Sequence, residues 1–160
     1  MGIRRLNHAV LYVRDVARSV AFYGDVLGFR PITEFPGAAF LRAPDSDNDH
    51  DLGLFQVGLD APGQVTGGVG LYHLAWSVQT LAELAEFKRV LTEVGALVGA
   101  SDHGVSKSLY AKDPDGVEFE VSWFVPRDKI TQEMEQSGPP RPLDIAAEIA
   151  VWGTELVGAL

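Results

Sequence analysis

An internal repeat is the feature that most narrows the folds open to this chain. Three pairs of like residues recur at an interval of about 65 residues, each pair at matching places: His8 and His73, Phe22 and Phe87, Gly28 and Gly95. In each copy a β-rich stretch is followed by an amphipathic helix, a glycine and three further β-rich stretches. Two βαβββ units, about residues 4–58 and 70–124, are the simplest interpretation. We therefore predict an α+β fold whose two units form a curved, mostly antiparallel sheet with a cleft and helices outside.

The predicted elements follow from residue type and from turn signals. Asp15 is placed to cap the first helix and Gly28 to end it, and Gly95 ends the second helix. The run Asp113-Pro114-Asp115-Gly116 predicts a turn, because proline presets φ and glycine accepts positive φ. The predicted helices are Val16–Leu27 and Leu81–Val94; the predicted strands are Leu6–Val13, Pro31–Phe35, Ala38–Arg42, Asp51–Val57, Leu71–Val78, Leu97–Ala100, Ser106–Lys112 and Val117–Phe124.

Residues 125–160 are predicted to extend the domain formed by residues 1–124. The stretch from Pro126 to Pro142 is polar and proline-containing, which predicts an irregular segment. A helix over about 143–158 should follow, since four apolar residues share one helical face: Ile145, Ile149, Trp152 and Leu156. This helix could cover the domain or mediate contacts in a dimer, and the sequence leaves both roles open.

Composition excludes several classes of protein. The net charge of −9 disfavours nucleic acid as a partner. The absence of cysteine removes disulfides, thiolate catalysis and thiolate metal sites. No apolar run approaches the ~18 residues of a membrane helix, and the N-terminal residues lack the apolar segment of a signal peptide. We therefore expect a single-domain cytoplasmic protein without membrane contact.

Three residues distant in sequence suggest a metal site. His8, His73 and Glu120 each lie within a short apolar stretch, where a polar side chain is costly unless it is paired or binds a metal. Two imidazoles and one carboxylate are typical of non-heme Fe(II) oxygenases. Glu118 shares the strand parity of Glu120, so both side chains should point to one face of the sheet. Either a bulge or strong twist near the preceding turn separates the two carboxylates, or Glu118 lies at the rim of the cleft.

These residues and their spacing resemble the vicinal oxygen chelate superfamily over residues 4–124, and most closely its extradiol ring-cleaving dioxygenases of the catechol 2,3-dioxygenase type. The resemblance implies that His8, His73 and Glu120 hold Fe(II), with Mn(II) also possible. His50-Asp51-Leu52-Gly53-Leu54 resembles the segment whose histidine is the acid/base. The segment beginning Asp102-His103-Gly104 resembles that of a second active-site histidine, and Tyr110 occupies the place of a tyrosine that hydrogen-bonds substrate.

One position separates the dioxygenases from the glyoxalase I-type isomerases, which resemble the chain equally well at the histidines. Those isomerases use a further glutamate on the last strand of the first repeat. The glycine interval places the counterpart of Glu120 at Gly53, which has no side chain to coordinate a metal. Three protein ligands would leave about three open positions in an octahedral site, enough for a chelating catechol and dioxygen.

The expected function is therefore extradiol cleavage of a small aromatic diol with O2, by a homodimer or higher homo-oligomer. His50, Tyr110 and His103 are the expected catalytic residues. Two alternatives remain. One is a different metal enzyme of the same fold, such as a glyoxalase-like isomerase or a thiol transferase. The other is a metal-free binding protein of the bleomycin-resistance type.

Overall fold

The computed structural model describes residues 1–159 and has the α+β architecture expected from the repeat. Leu160, the last residue of the predicted extension, lies outside the described residues. A short 3₁₀ helix spans Arg127–Lys129. In chain order the remaining elements are β1 (Ala9–Val13), α1 (Val16–Leu27), β2 (Arg30–Phe35), β3 (Ala38–Arg42), β4 (Leu52–Gln56), β5 (His73–Ser77), α2 (Leu81–Glu93), β6 (Leu97–Asp102), β7 (Ser106–Lys112), β8 (Glu118–Phe124), α3 (Gln132–Glu135), β9 (Arg141–Pro142) and α4 (Ile145–Trp152).

The two repeats have the same topology and almost the same register. Hydrogen bonding divides the strands into two sheets, one from each repeat, with the orders β1-β4-β3-β2 and β5-β8-β7-β6-β9. The first and last strands of each repeat are parallel neighbours, and the other pairings within a repeat are antiparallel. Even the irregularities recur, because the register shifts between Pro31 and Thr33 and again between Leu97 and Gly99.

Local capping explains why the helices begin where the sequence predicts. The Asp15 side chain accepts a hydrogen bond from the backbone N–H of Arg18, and Gly28 ends α1 with a φ of 75°. Thr80 and Glu83 form a reciprocal capping box at the start of α2. The strands are shorter than predicted at two site positions. Strand β1 begins after His8 rather than at Leu6, and β5 begins at His73 rather than at Leu71.

By its contacts the chain divides into two compact units: Met1–Gln64 with Asp113–Gly116, and Val65–Lys112 with the described chain from Val117 onward. The predicted Asp113–Gly116 turn is present, and Gly116 has a φ of 86°. Its contacts place it in the first unit, where Asp115 accepts hydrogen bonds from the Arg14 backbone and pairs with the Arg14 and Arg18 guanidinium groups.

The C-terminal extension packs within the second unit. Strand β9 pairs with β6, and the Trp152 ring lies 6.0 Å from the Trp123 ring between centroids. Helix α4 is shorter than the predicted 143–158, because Gly153 follows Trp152 with a φ of 81°. The predicted bounds of the domain and extension stay a prediction. No helix within residues 1–159 has the length and apolar character needed to cross a membrane.

Candidate active site

The candidate residues fall into two groups, one in each unit. His8 and His50 belong to the first unit, whereas His73, His103, Tyr110 and Glu120 belong to the second. Within residues 1–159, no group of three or more His, Cys, Asp or Glu side chains is arranged to hold a metal ion. The predicted ligand set therefore stays a prediction, and the two groups are described separately.

In the first unit, the two histidine rings lie side by side. The centroids of the His8 and His50 rings are 4.4 Å apart. His8 Nδ1 lies 2.8 Å from Asn7 Oδ1, and His50 Nδ1 lies 3.0 Å from Asp49 Oδ2. With the proton on Nδ1, each ring donates to its acceptor oxygen and keeps an Nε2 lone pair. In that tautomer, Nε2 of each ring is a lone pair that can accept a proton or bind a metal.

The sequence reasoning missed these two oxygen partners. Each immediately precedes its histidine in the chain, as Asn7-His8 and Asp49-His50. An acceptor directly before a histidine is the signal that could have identified them, since such a group orients the ring. The hydrogen bond from His50 also lowers the pKa of Asp49, which keeps that carboxylate charged near neutral pH.

His50 also lines a small, mainly apolar cavity in the first unit. The cavity has a volume of about 260 Å³ and is bordered by Ile32, Thr33, Phe35, Phe40, Asp49 and His50. The Phe40 ring meets the His50 ring edge-on, with 5.0 Å between centroids. An acid/base group beside aromatic walls suits a flat, apolar ring better than a charged ligand.

In the second unit, His73 and Glu120 form a close pair on neighbouring strands. His73 Nε2 lies 3.0 Å from Glu120 Oε2, and the two side chains are 24% and 14% exposed. Ser122 donates a hydrogen bond of 2.7 Å to Glu120 Oε1, and Ser122 lies 3.1 Å from Ser108. The Ser108–Ser122 pair therefore holds the Glu120 carboxylate in one orientation. An imidazole and an oriented carboxylate at this distance are a donor set that fits a divalent iron or manganese ion.

Glu118 lies on the same side of β8 as Glu120. Its Oε1 is 3.8 Å from His73 Nδ1, which is buried and makes no hydrogen bond. Of the alternatives for Glu118, the bulge is absent from β8, because β7 and β8 pair without interruption from Ser106–Phe124 to Lys112–Glu118. Glu118 therefore faces the same histidine as Glu120, at a longer distance.

Tyr110 and His103 complete the second group. The Tyr110 hydroxyl lies 2.8 Å from His103 Nε2, and the Tyr110 ring centroid lies 5.9 Å from that of His73. Burial raises the pKa of the Tyr110 hydroxyl, and the negative charge of Glu120 raises it further. The phenol therefore keeps its proton at neutral pH and can serve as a hydrogen-bond donor. The sequence motifs predicted both residues, and the structure brings them into contact.

The register supports Gly53 as the counterpart of Glu120. Gly53 pairs with Val10 and Phe40, whereas Glu120 pairs with Ala75 and Tyr110 at the corresponding positions of the second repeat. A Cβ atom at Gly53 would lie 3.4 Å from both Val10 and Phe40. The first repeat thus offers an apolar surface where the second carries a carboxylate.

Paired βαβββ repeats with one shared topology define a class of small α+β proteins. Residues 5–121 match the model of the Glyoxalase/Bleomycin resistance protein/Dioxygenase superfamily, and the chain belongs to that superfamily.

The relatives include more than one kind of enzyme. The chain is 33% identical over 134 residues to biphenyl-2,3-diol 1,2-dioxygenase 3 of Rhodococcus globerulus, covering 81% of this chain and 70% of that enzyme. Other relatives also have dioxygenase names. The present chain is also 31% identical over 130 residues to a lactoylglutathione lyase of Arabidopsis thaliana, covering 74% of this chain and 44% of that protein.

Solved structures agree with the fold. A glyoxalase/dioxygenase from Nostoc punctiforme superposes with a TM-score of 0.61 at 24% identity, covering 74% of this chain and 90% of that one. At this identity the likeness shows the fold, and activity has to be argued from the site.

Proposed function

We propose that the protein is an extradiol dioxygenase that cleaves a small catechol-type aromatic diol with O2. The observation that carries the proposal is the second-unit group, in which the His73–Glu120 pair lies beside the hydrogen-bonded Tyr110 and His103. The group combines metal-ligating atoms with a protonated phenol, and the dioxygenase names among the relatives point the same way.

In this proposal His8, His73 and Glu120 hold Fe(II), and Mn(II) suits the same atoms. The bound metal lowers the pKa of the substrate hydroxyls and brings both reactants together. His50 takes a substrate proton on Nε2, and Asp49 stabilises the resulting imidazolium through its contact with Nδ1. The Tyr110 hydroxyl donates to a substrate oxygen, and His103 supports the phenol.

Gly53 favours this function over a glyoxalase-like isomerase. The position corresponds to Glu120 by strand register, so the first repeat lacks the further carboxylate ligand expected of such an isomerase. A site with three protein ligands leaves more of the metal open to substrate and oxygen.

The proposal is tested by anaerobic purification with metal analysis, followed by oxygen uptake and yellow ring-fission product on a panel of catechols. We expect about one Fe(II) or Mn(II) per chain and turnover of at least one catechol. Metal without catechol-dependent oxygen uptake would support an isomerase or thiol transferase instead. A metal-free protein that binds an aromatic ligand stoichiometrically would support a binding protein.

Two substitutions test the assigned roles. His50→Phe should retain the metal and lose activity about 10²–10⁴-fold, the range of a general acid/base. Asp49→Asn should lower kcat about tenfold through the weakened support of His50. Asp47→Asn is the matched control, because Asp47 is similarly exposed and pairs with Arg5 rather than with a histidine. Full activity in His50→Phe would refute the acid/base role.

The proposal further includes a cytoplasmic homodimer or higher homo-oligomer. Sedimentation equilibrium tests the assembly, and a monomer at micromolar concentration would contradict it.

A further inference from the structure

We propose that the C-terminal extension positions the His103–Tyr110 pair. Two residues of the extension, Ser137 and Arg141, contact the hairpin between β6 and β7 and together form a clamp. The inference rests on the proposed function for its effect on catalysis, but the clamp itself is a property of the second unit. His103 lies in this hairpin, immediately after β6, and its ring contacts Tyr110 on β7.

The first half of the clamp is a close approach at Gly104. The Ser137 hydroxyl donates a hydrogen bond of 3.1 Å to the backbone carbonyl of His103. Gly104 has a φ of 78°, and a Cβ atom there would lie 2.6 Å from both the Met134 carbonyl oxygen and Ser137 Oγ. Only glycine accommodates both the positive φ and this contact. The extension therefore lies directly against the backbone that carries the His103 ring.

The second half is a charge network around the buried side chain of Asp102, the residue before His103, and the exposed Arg141. Asp102 accepts a hydrogen bond from the Gly104 backbone N–H, pairs with Lys107 Nζ at 2.5 Å and pairs with the Arg141 guanidinium at 2.8 Å. Arg141 also pairs with Asp102 in the β6–β9 ladder. Glu148, on α4, lies 3.2 Å from Lys107 Nζ.

The clamp thus fixes the backbone on both sides of the His103 Cα atom. Ser137 and Arg141 both belong to the segment that the sequence predicts to be irregular, so a polar stretch outside the repeat supports a residue of the site. We expect loss of the clamp to change the direction of the His103 ring and with it the hydrogen bond to Tyr110.

The test uses full-length protein with ¹³C-labelled histidine Cε1, whose four histidines give few resonances. Ser137→Ala removes the hydrogen bond, and Gly104→Ala forces the two segments apart. In both variants we expect the His103 resonance to shift while those of His8 and His50 stay in place. Thr154→Ala is the matched control, because it removes a hydroxyl from an exposed residue of the same extension that lies beyond α4 and outside the clamp.

Activity gives the second readout. Ser137→Ala should lower kcat with catechols about fivefold with little change in KM, as expected for a mispositioned group. An unchanged His103 resonance in folded Ser137→Ala would overturn the positioning role, as would an equal shift in Thr154→Ala. If the wild-type protein cleaves no catechol but His103 shifts in Ser137→Ala, the proposed function fails while the clamp stands.

Discussion

The two carboxylates of β8 allow a sharp test of which one binds the metal. Glu120 Oε2 lies 3.0 Å from His73 Nε2 and is steadied by Ser122, whereas Glu118 Oε1 lies 3.8 Å from His73 Nδ1. We predict that Glu120 is a ligand and that Glu118 supports the ring of His73. Loss of a supporting group typically lowers metal affinity about 10–100-fold, and loss of a ligand lowers it further.

The expected magnitudes follow from linkage between binding and unfolding. At a metal concentration of 100 times the wild-type Kd, binding adds about 2.7 kcal/mol to stability. If Glu118→Gln lowers metal affinity tenfold, metal binding at the same concentration adds about 1.4 kcal/mol to stability. If Glu120→Gln lowers metal affinity 100-fold or more, metal binding adds about 0.4 kcal/mol or less. Since 1 kcal/mol moves the Tm of a chain this size by roughly 2–4 °C, the three metal-induced shifts are about 5–11, 3–6 and at most 2 °C.

The assay is thermal unfolding of each protein with and without Mn(II), which avoids oxidation of iron. Comparing each variant with its own metal-free form removes the effect of the substitution on the fold itself. A metal-induced shift in Glu118→Gln as small as or smaller than that in Glu120→Gln would refute the assignment and make Glu118 the ligand. If the metal-induced shift in Tm of both variants equals that of the wild type, neither carboxylate of β8 binds the metal.

Two further predictions concern stability. Tyr23→Phe should cost about 1–2 kcal/mol in urea unfolding, because the buried Tyr23 hydroxyl donates to Asp113, whereas Tyr12→Phe at an exposed position should cost little. Burial raises the pKa of Asp102, but hydrogen bonds from Lys107 and the Gly104 N–H and the nearby positive charges outweigh it, so the pKa is lowered. Its contribution is therefore present above the unfolded pKa of about 3.9 and is lost as the pH falls through the folded value. Asp102→Asn should cost roughly 2–3 kcal/mol at pH 7, and a difference from wild type that does not shrink at more acidic pH would contradict this.

The sequence predicted those parts of the fold that depend on neighbouring residues. Helix α1 has the predicted bounds because Asp15 and Gly28 cap it locally. Strand ends depend instead on a partner distant in sequence. Strand β1 begins at Ala9 because its pairing with β4 begins at Ala9–Leu52, so no residue preference of Leu6 could reveal that end.

The same distinction holds within the candidate site. The family resemblance implied that His103 and Tyr110 serve one site, and the hairpin between β6 and β7 brings the two side chains into contact. The contact between Ser137 and His103 could not be predicted, because an irregular segment has no periodicity that fixes which residue it meets. The stretch Gly104-Val105-Ser106 likewise does not indicate that Gly104 contacts the C-terminal extension.

The two repeats share a backbone register but present different side chains. Positions matched by register carry apolar residues or glycine in the first repeat and mostly polar residues in the second: Val10 and Ala75, Phe40 and Tyr110, Gly53 and Glu120, Phe55 and Ser122. Because the backbone register is common to both, these differences alone decide what each sheet surface can bind. The second surface has the donors and charges suited to a metal and a diol. The first offers aromatic contact next to His50, which suits an aromatic ring. Substituting Phe40 should therefore alter the choice among ring substituents more than metal content. Substituting Glu120 should lower metal content more than it alters the choice among ring substituents.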